Sequence, residues 1–81
     1  MIVRVKLFAV AKDLIGNESL EVELPEFATV SQLRTALESQ FPQLSTIISH
    51  LMIAVDAEYA NDQTVLTENS EIACIPPVSG G

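Results

Sequence analysis

Eighty-one residues are enough for one hydrophobic core and too few for two, so the chain is a single small domain. Eleven Asp and Glu against four Lys and Arg give a net charge of −7, which leaves no basic stripe for nucleic acid and favours a partner with a basic face. One cysteine excludes an internal disulfide, and no apolar run approaches the ~20 residues that span a bilayer, so the chain reads as soluble, cytoplasmic and without a membrane partner.

Residues 2–10 alternate, with Val3, Val5, Leu7 and Ala9 on an apolar face and Ile2, Arg4, Lys6, Phe8 and Val10 on a mixed one. Period-two patterning rich in β-branched residues predicts a strand with the first face inward. Phe8 is the odd residue, an aromatic on the side of Arg4 and Lys6. Ala11 to Ile15 predicts one or two helical turns, stopped by Gly16-Asn17. Leu20, Val22 and Leu24 then alternate with Ser19, Glu21 and Glu23, a half-exposed antiparallel strand ended by Pro25. Thr29 and Gln32 fit a capping box, and Val30, Leu33, Ala36 and Leu37 follow at helical spacing up to Pro42. Leu44 to His50 reads as a loop with a helical turn that buries Ile47 or Ile48. Leu51 to Val55 reads as a short central strand, and a brief edge strand fits around Glu58-Tyr59-Ala60. Thr64 to Thr67 reads as a tight turn and Glu68-Asn69-Ser70 as a reverse turn, and Glu71 to Ile75 forms the last strand.

This order gives an α+β domain over residues 1–75, a mixed sheet of about five strands with one main helix on one face. With the first and last strands side by side, the arrangement is a β-grasp, the ubiquitin-like fold. The opposite sheet face is left to solvent or a partner.

Chemistry is sparse. The chain has no phosphate loop, no His or Cys pair at metal spacing and no nucleophile with a base, so neither a metal nor a bound cofactor is expected. Cys74 lies on the inward face of the last strand and reads as a small buried hydrophobe. His50 has no second ligand near it in sequence, and the carboxylates read as a solvated surface. An enzyme acting alone is not expected.

What remains is the tail, Pro76-Pro77-Val78-Ser79-Gly80-Gly81. Two prolines stiffen its base, while Gly80 and Gly81 leave a slim, bare backbone ending in a carboxylate. Extended, six residues reach ~20 Å, enough to enter a narrow channel of another protein. The plain alternative is a frayed terminus. Phe8 and Ile75 either pack a loop or anchor a partner on the helix-free face, and Ile75 directly precedes the tail. A carboxylate resists attack by sulfur or amine until activated. Conversion to an acyl-adenylate supplies the leaving group, after which the acyl group is captured as a thiocarboxylate or joined to an amine.

End to end the sequence resembles a known family, the molybdopterin synthase small subunits of MoaD type. The resemblance is carried by Leu7-Phe8-Ala9, Ala11 to Gly16, Ala54-Val55-Asp56 and the run from Glu71 to Gly81 that ends Pro-Pro-Val-Ser-Gly-Gly. It implies a β-grasp fold and activation of Gly81 by an ATP-using, E1-like adenylyltransferase. The ATP belongs to that partner, and no cofactor is bound by this chain. It further implies thiocarboxylation of Gly81 from a sulfur donor protein and entry of the tail into the large subunit of a heterotetramer. There sulfur passes to cyclic pyranopterin monophosphate in molybdenum cofactor biosynthesis. Gly80 and Gly81 match the family's terminal pair, Phe8 an interface aromatic, and Ile75 a position where the family often has an aromatic. The rival readings are a ubiquitin-like modifier joined to lysines, a sulfur carrier of another pathway such as thiamine synthesis, and a plain binding module with an inert tail.

Overall fold

The opening alternation yields a shorter strand than its pattern suggests. In the computed structural model, which describes residues 1–77, strand β1 spans Ile2–Leu7 with Val3, Val5 and Leu7 buried. Phe8 is still extended, but Ala9 turns the chain with φ +52 and opens helix α1, Ala9–Ile15. Ala9 and Val10 therefore leave the strand pattern and are exposed. The residues from Ala9 to Leu14 are mostly good helix formers, and burying Ala11 fixes the turn against the core. Gly16 closes it in the left-handed region, its N–H donating to the Lys12 carbonyl at 2.8 Å.

Strand β2, Ser19–Glu23, runs antiparallel to β1 with Leu20 and Val22 buried. Helix α2, Val30–Gln40, starts at the expected capping box. Thr29 Oγ1 accepts from the Gln32 N–H at 3.3 Å, and Gln32 Oε1 accepts from the Thr29 N–H at 2.9 Å. Val30, Leu33 and Leu37 form its buried stripe, and the helix stops at Phe41 before Pro42. At its last turn the Gln40 amide donates to the Glu23 carbonyl and accepts from the Glu23 N–H. Two 3₁₀ turns follow, Pro42–Leu44 and Ile48–His50, burying Leu44 and Ile48 while Ile47 is half-buried. Arg34 fastens this segment to α2. Its Nη1 donates to the Ile48 carbonyl at 2.9 Å, and its Nε lies 3.3 Å from Asp62 Oδ1.

Strands β3 (Met52–Val55), β4 (Glu58–Tyr59) and β5 (Ile72–Ile75) complete a mixed sheet of order β2-β1-β5-β3-β4. Among the described residues only the β1–β5 pair is parallel, in the register Val5↔Ile72, Lys6↔Ala73 and Leu7↔Cys74. The central place belongs to β5, and the Leu51–Val55 run supplies the strand beside it. Residues 64–67, read from sequence as a tight turn, are extended. Leu66 is fully buried and donates to the Ala28 carbonyl at 2.8 Å, and Val65 bridges to Thr29. Burying that one leucine outweighs the turn preference of its polar flanks. The expected turn at Glu68–Ser70 is present, with Ser70 N–H donating to the Thr67 carbonyl at 3.0 Å. Helix α2 covers one sheet face, and the architecture is the ubiquitin-like β-grasp. Among the described residues no helix is long and apolar enough to cross a membrane.

Two details of this framework can be measured. The β3–β4 loop is only Asp56-Ala57, and both residues have positive φ, 52° and 68°. A two-residue hairpin turn of this hand favours glycine at the second position, and a Cβ there costs roughly 1–2 kcal/mol. Ala57→Gly is therefore expected to raise the melting temperature by about 4–8 °C, read by calorimetry. Cys74 is 0% exposed, and burial pushes its thiol up from the ordinary 9.0 to about 12, with the Arg34 charge opposing weakly. In the unfolded chain the thiol ionises first, so unfolding releases a proton between these values. Its contribution to stability is complete below pH 9.0 and falls as pH rises towards about 12. Denaturant midpoints at alkaline pH should fall less steeply in Cys74→Ala than in the parent chain.

Candidate partner-docking face

The strand registers fix what the helix-free face displays. Inward residues of β1 and β5 are Val5, Leu7, Ile72 and Cys74, so the outward set is Arg4, Lys6, Ala73 and Ile75. Phe8, still extended at φ −129 and ψ 151, continues the alternation outward and falls level with Ile75. Across β3 and β4 the same face continues through Met52 opposite Ile75, and Ala54 opposite both Ala73 and Tyr59. Two alanines in the middle and larger side chains around them make a shallow depression.

That depression is a groove of about 330 Å³ whose walls include Phe8, Ala54, Tyr59, Ala73 and Ile75. Phe8 is 46% exposed and Tyr59 66%. The two residues singled out from the sequence as an anchor pair, Phe8 and Ile75, thus line one surface. Tyr59 was not visible as a member. Its strand has two residues, too few to show a period, and only the hairpin turn at Asp56-Ala57 swings it over Ala54. An apolar surface with aromatic walls, rimmed by polar groups, is suited to receiving a side chain of another protein.

Chemical groups within the described residues are few. Cys74 is shut in the core with its thiol pushed up, so it is not a nucleophile. His50 is exposed at the end of its 3₁₀ turn. No group of three His, Cys, Asp or Glu side chains among the described residues is arranged to hold a metal ion. The groove adjoins the root of the tail, since Ile75 is followed by half-buried Pro76 and exposed Pro77. Val78, Ser79, Gly80 and Gly81 lie outside the described residues.

Comparison with known proteins places the chain in a family. Residues 5–81 match the model of the ThiS family. The chain is 42% identical over 81 residues to the molybdopterin synthase sulfur carrier subunit of Caenorhabditis briggsae, covering 98% of this chain and 96% of that one. The crystal structure of SAMP1 from Haloferax volcanii superposes over the full length of both chains, with a TM-score of 0.85 and 28% identity. The complex of subunits 1 and 2 of the molybdopterin-converting factor from Helicobacter pylori includes a chain matched over its full length, with a TM-score of 0.71 and 26% identity. The chain belongs to the ThiS family, in the company of the molybdopterin synthase sulfur carrier subunits.

Proposed function

We propose that the chain is the sulfur carrier subunit of a molybdopterin synthase, with Gly81 as its cargo site. It is not an enzyme by itself. The observation that carries the reading is the position of the groove: its wall residue Ile75 is joined directly to Pro76-Pro77. A partner seated on Phe8, Tyr59 and Ile75 has the Gly-Gly end delivered to it by a short tether, which raises the effective concentration of the terminus at the partner's active site.

The chemistry belongs to the terminal carboxylate and to enzymes that act on it. In an E1-like adenylyltransferase the Gly81 carboxylate attacks the α-phosphorus of ATP and pyrophosphate leaves. Sulfide-level sulfur then displaces AMP to give the thiocarboxylate; where a donor protein presents the sulfur as a persulfide, its attack releases AMP and forms an acyl disulfide, and a thiol reductant cleaves the S–S bond to leave the thiocarboxylate. In the large subunit that sulfur passes to cyclic pyranopterin monophosphate, and Gly81 returns to a carboxylate. Each visit delivers one sulfur, so the two sulfurs of a dithiolene require two loaded carriers in succession, each seated on a large subunit of the heterotetramer. A side chain at position 80 or 81 would widen a tail that has to enter a tunnel. Pro76, Pro77, Val78 and Ser79 serve as its spacer.

A second reading, a protein modifier, is favoured by the likeness to the archaeal modifier SAMP1. It shares the activation step and differs in the fate of the acyl-adenylate, which an amine captures in place of sulfur. A carrier of sulfur for thiamine synthesis would share the thiocarboxylate and differ in its acceptor.

Incubation with ATP, the activating enzyme and a sulfur source should add about 16 Da to the intact mass, sulfur replacing one oxygen of Gly81. Adducts of higher mass on lysines, with no such gain, would establish the modifier reading instead. Phe8→Asp should weaken binding to the large subunit by about 2 kcal/mol or more, roughly thirtyfold in Kd by titration calorimetry, while the domain keeps a cooperative melt.

A further inference from the structure

Cations are scarce in this chain, four Lys and Arg in all, and three of them border one pocket. Arg4, Lys6 and Lys12 surround a depression of about 410 Å³ that shares Phe8 with the apolar groove. The fourth, Arg34, is occupied inside the fold by Asp62 and the Ile48 carbonyl. The three are not equivalent. Lys12 lies 3.7 Å from Glu18. Arg4 stands opposite Glu21 across the β1–β2 pair, and Glu71 precedes β5 at the matching step of the β1–β5 register. Lys6 has Ser19 on one side and Ala73 on the other. It is exposed, has no acidic residue directly opposite it on either neighbouring strand, and makes no ion pair among the described residues; Glu21 and Glu71 stand only on its diagonals.

The place of Lys6 is specific. It is level with Ala73 on the groove and two residues before Phe8 on the same face, so a charge with no ion-pair partner among the described residues stands on the rim of the apolar surface. A rim charge beside an apolar anchor sets orientation and speeds encounter. The net charge of −7 suggests a basic partner surface for the molecule as a whole, whereas this face asks locally for the opposite sign. The same net charge opposes an extended polyanion, so the fitting complement is one or two carboxylates on a folded protein.

We infer that Lys6, supported by Arg4, is a second anchor of the docking face and receives an acidic side chain of the partner while Phe8, Tyr59 and Ile75 receive an apolar one. The inference rests on the docking role argued above for the groove, and it names what the partner surface must carry.

The test uses the full chain and the molybdopterin synthase large subunit of the same genome, with Kd and association rate measured at about 50 and about 500 mM salt. Lys6→Glu is expected to weaken binding about tenfold or more at the lower salt, mainly through slower association, with Lys6→Gln intermediate and all three chains converging at the higher salt. Melting curves of both variants should match the parent, and Lys6→Gln carries the test if the charge reversal disturbs folding. Unchanged Kd and salt dependence, or tighter binding by Lys6→Glu, would overturn the inference. Phe8→Asp measured alongside separates the two claims: if it also binds normally, the docking role of the groove falls; if it alone loses binding, only the Lys6 anchor falls.

Discussion

The parallel pairing of β1 with β5 is the constraint on which the rest depends. It joins the first strand of the chain to the last, Val5 to Ile72 and Leu7 to Cys74. Closing so long a loop carries an entropic cost that the buried faces of both strands must offset. They do so through a continuous core, with Val5, Leu7, Ile72 and Cys74 packed in the same cluster as Leu33 and Leu37 of α2. Because the side-chain period of a strand is two, this one register also decides the opposite face. A slip of β5 by one residue against β1 would turn Ile75 inward and Cys74 out to solvent while Phe8 stayed outward, which would part the two. Core and groove are two sides of a single alignment.

Much of this was legible in the sequence, because periodicity reports burial. The alternation of Val3, Val5 and Leu7, the Leu20–Leu24 strand and the Thr29–Gln32 capping box mark elements whose residues obey their local preferences. The tail's composition and the Phe8–Ile75 proximity followed from the same patterns. Illegible parts are those where a single contact overrides preference. Leu66 pins an extended segment between two turns, and Ala9 starts a helix where the alternation still reads as strand. The Asp56-Ala57 hairpin lacks the glycine that ordinarily announces such a turn, so Tyr59 could not be placed on the groove. The charge environment of Lys6 depends on which strands flank β1, which no local window contains.

Backbone strain is unevenly distributed in the described residues. Of the four non-glycine residues with positive φ, Ala9 and Ala57 border the two depressions and Asp56 sits beside them, leaving Phe27 elsewhere. Each left-handed residue costs about 1–3 kcal/mol and persists only where its surroundings fix it. At Asp56 the fixing is explicit. Its N–H donates to the Glu71 carbonyl at 2.8 Å, and its carboxylate accepts from the Glu71 N–H at 2.9 Å. The hairpin that carries Tyr59 is thus tied to the start of β5 by one backbone bond and one bond to the Asp56 carboxylate, both made beside the groove and not by the apolar side chains that wall it.

The bidentate clasp of Gln40 on Glu23 has a consequence for how such a molecule survives at high concentration. An outermost strand exposes unpaired N–H and C=O groups on which a second copy can build a continuous sheet. Here β2 is outermost on one side, its Glu23 backbone is already saturated by the Gln40 amide, and Glu21 and Glu23 add like charges that repel an identical strand. On the other side β4 is two residues long, too short to template anything. Both rims are therefore poor templates for strand addition.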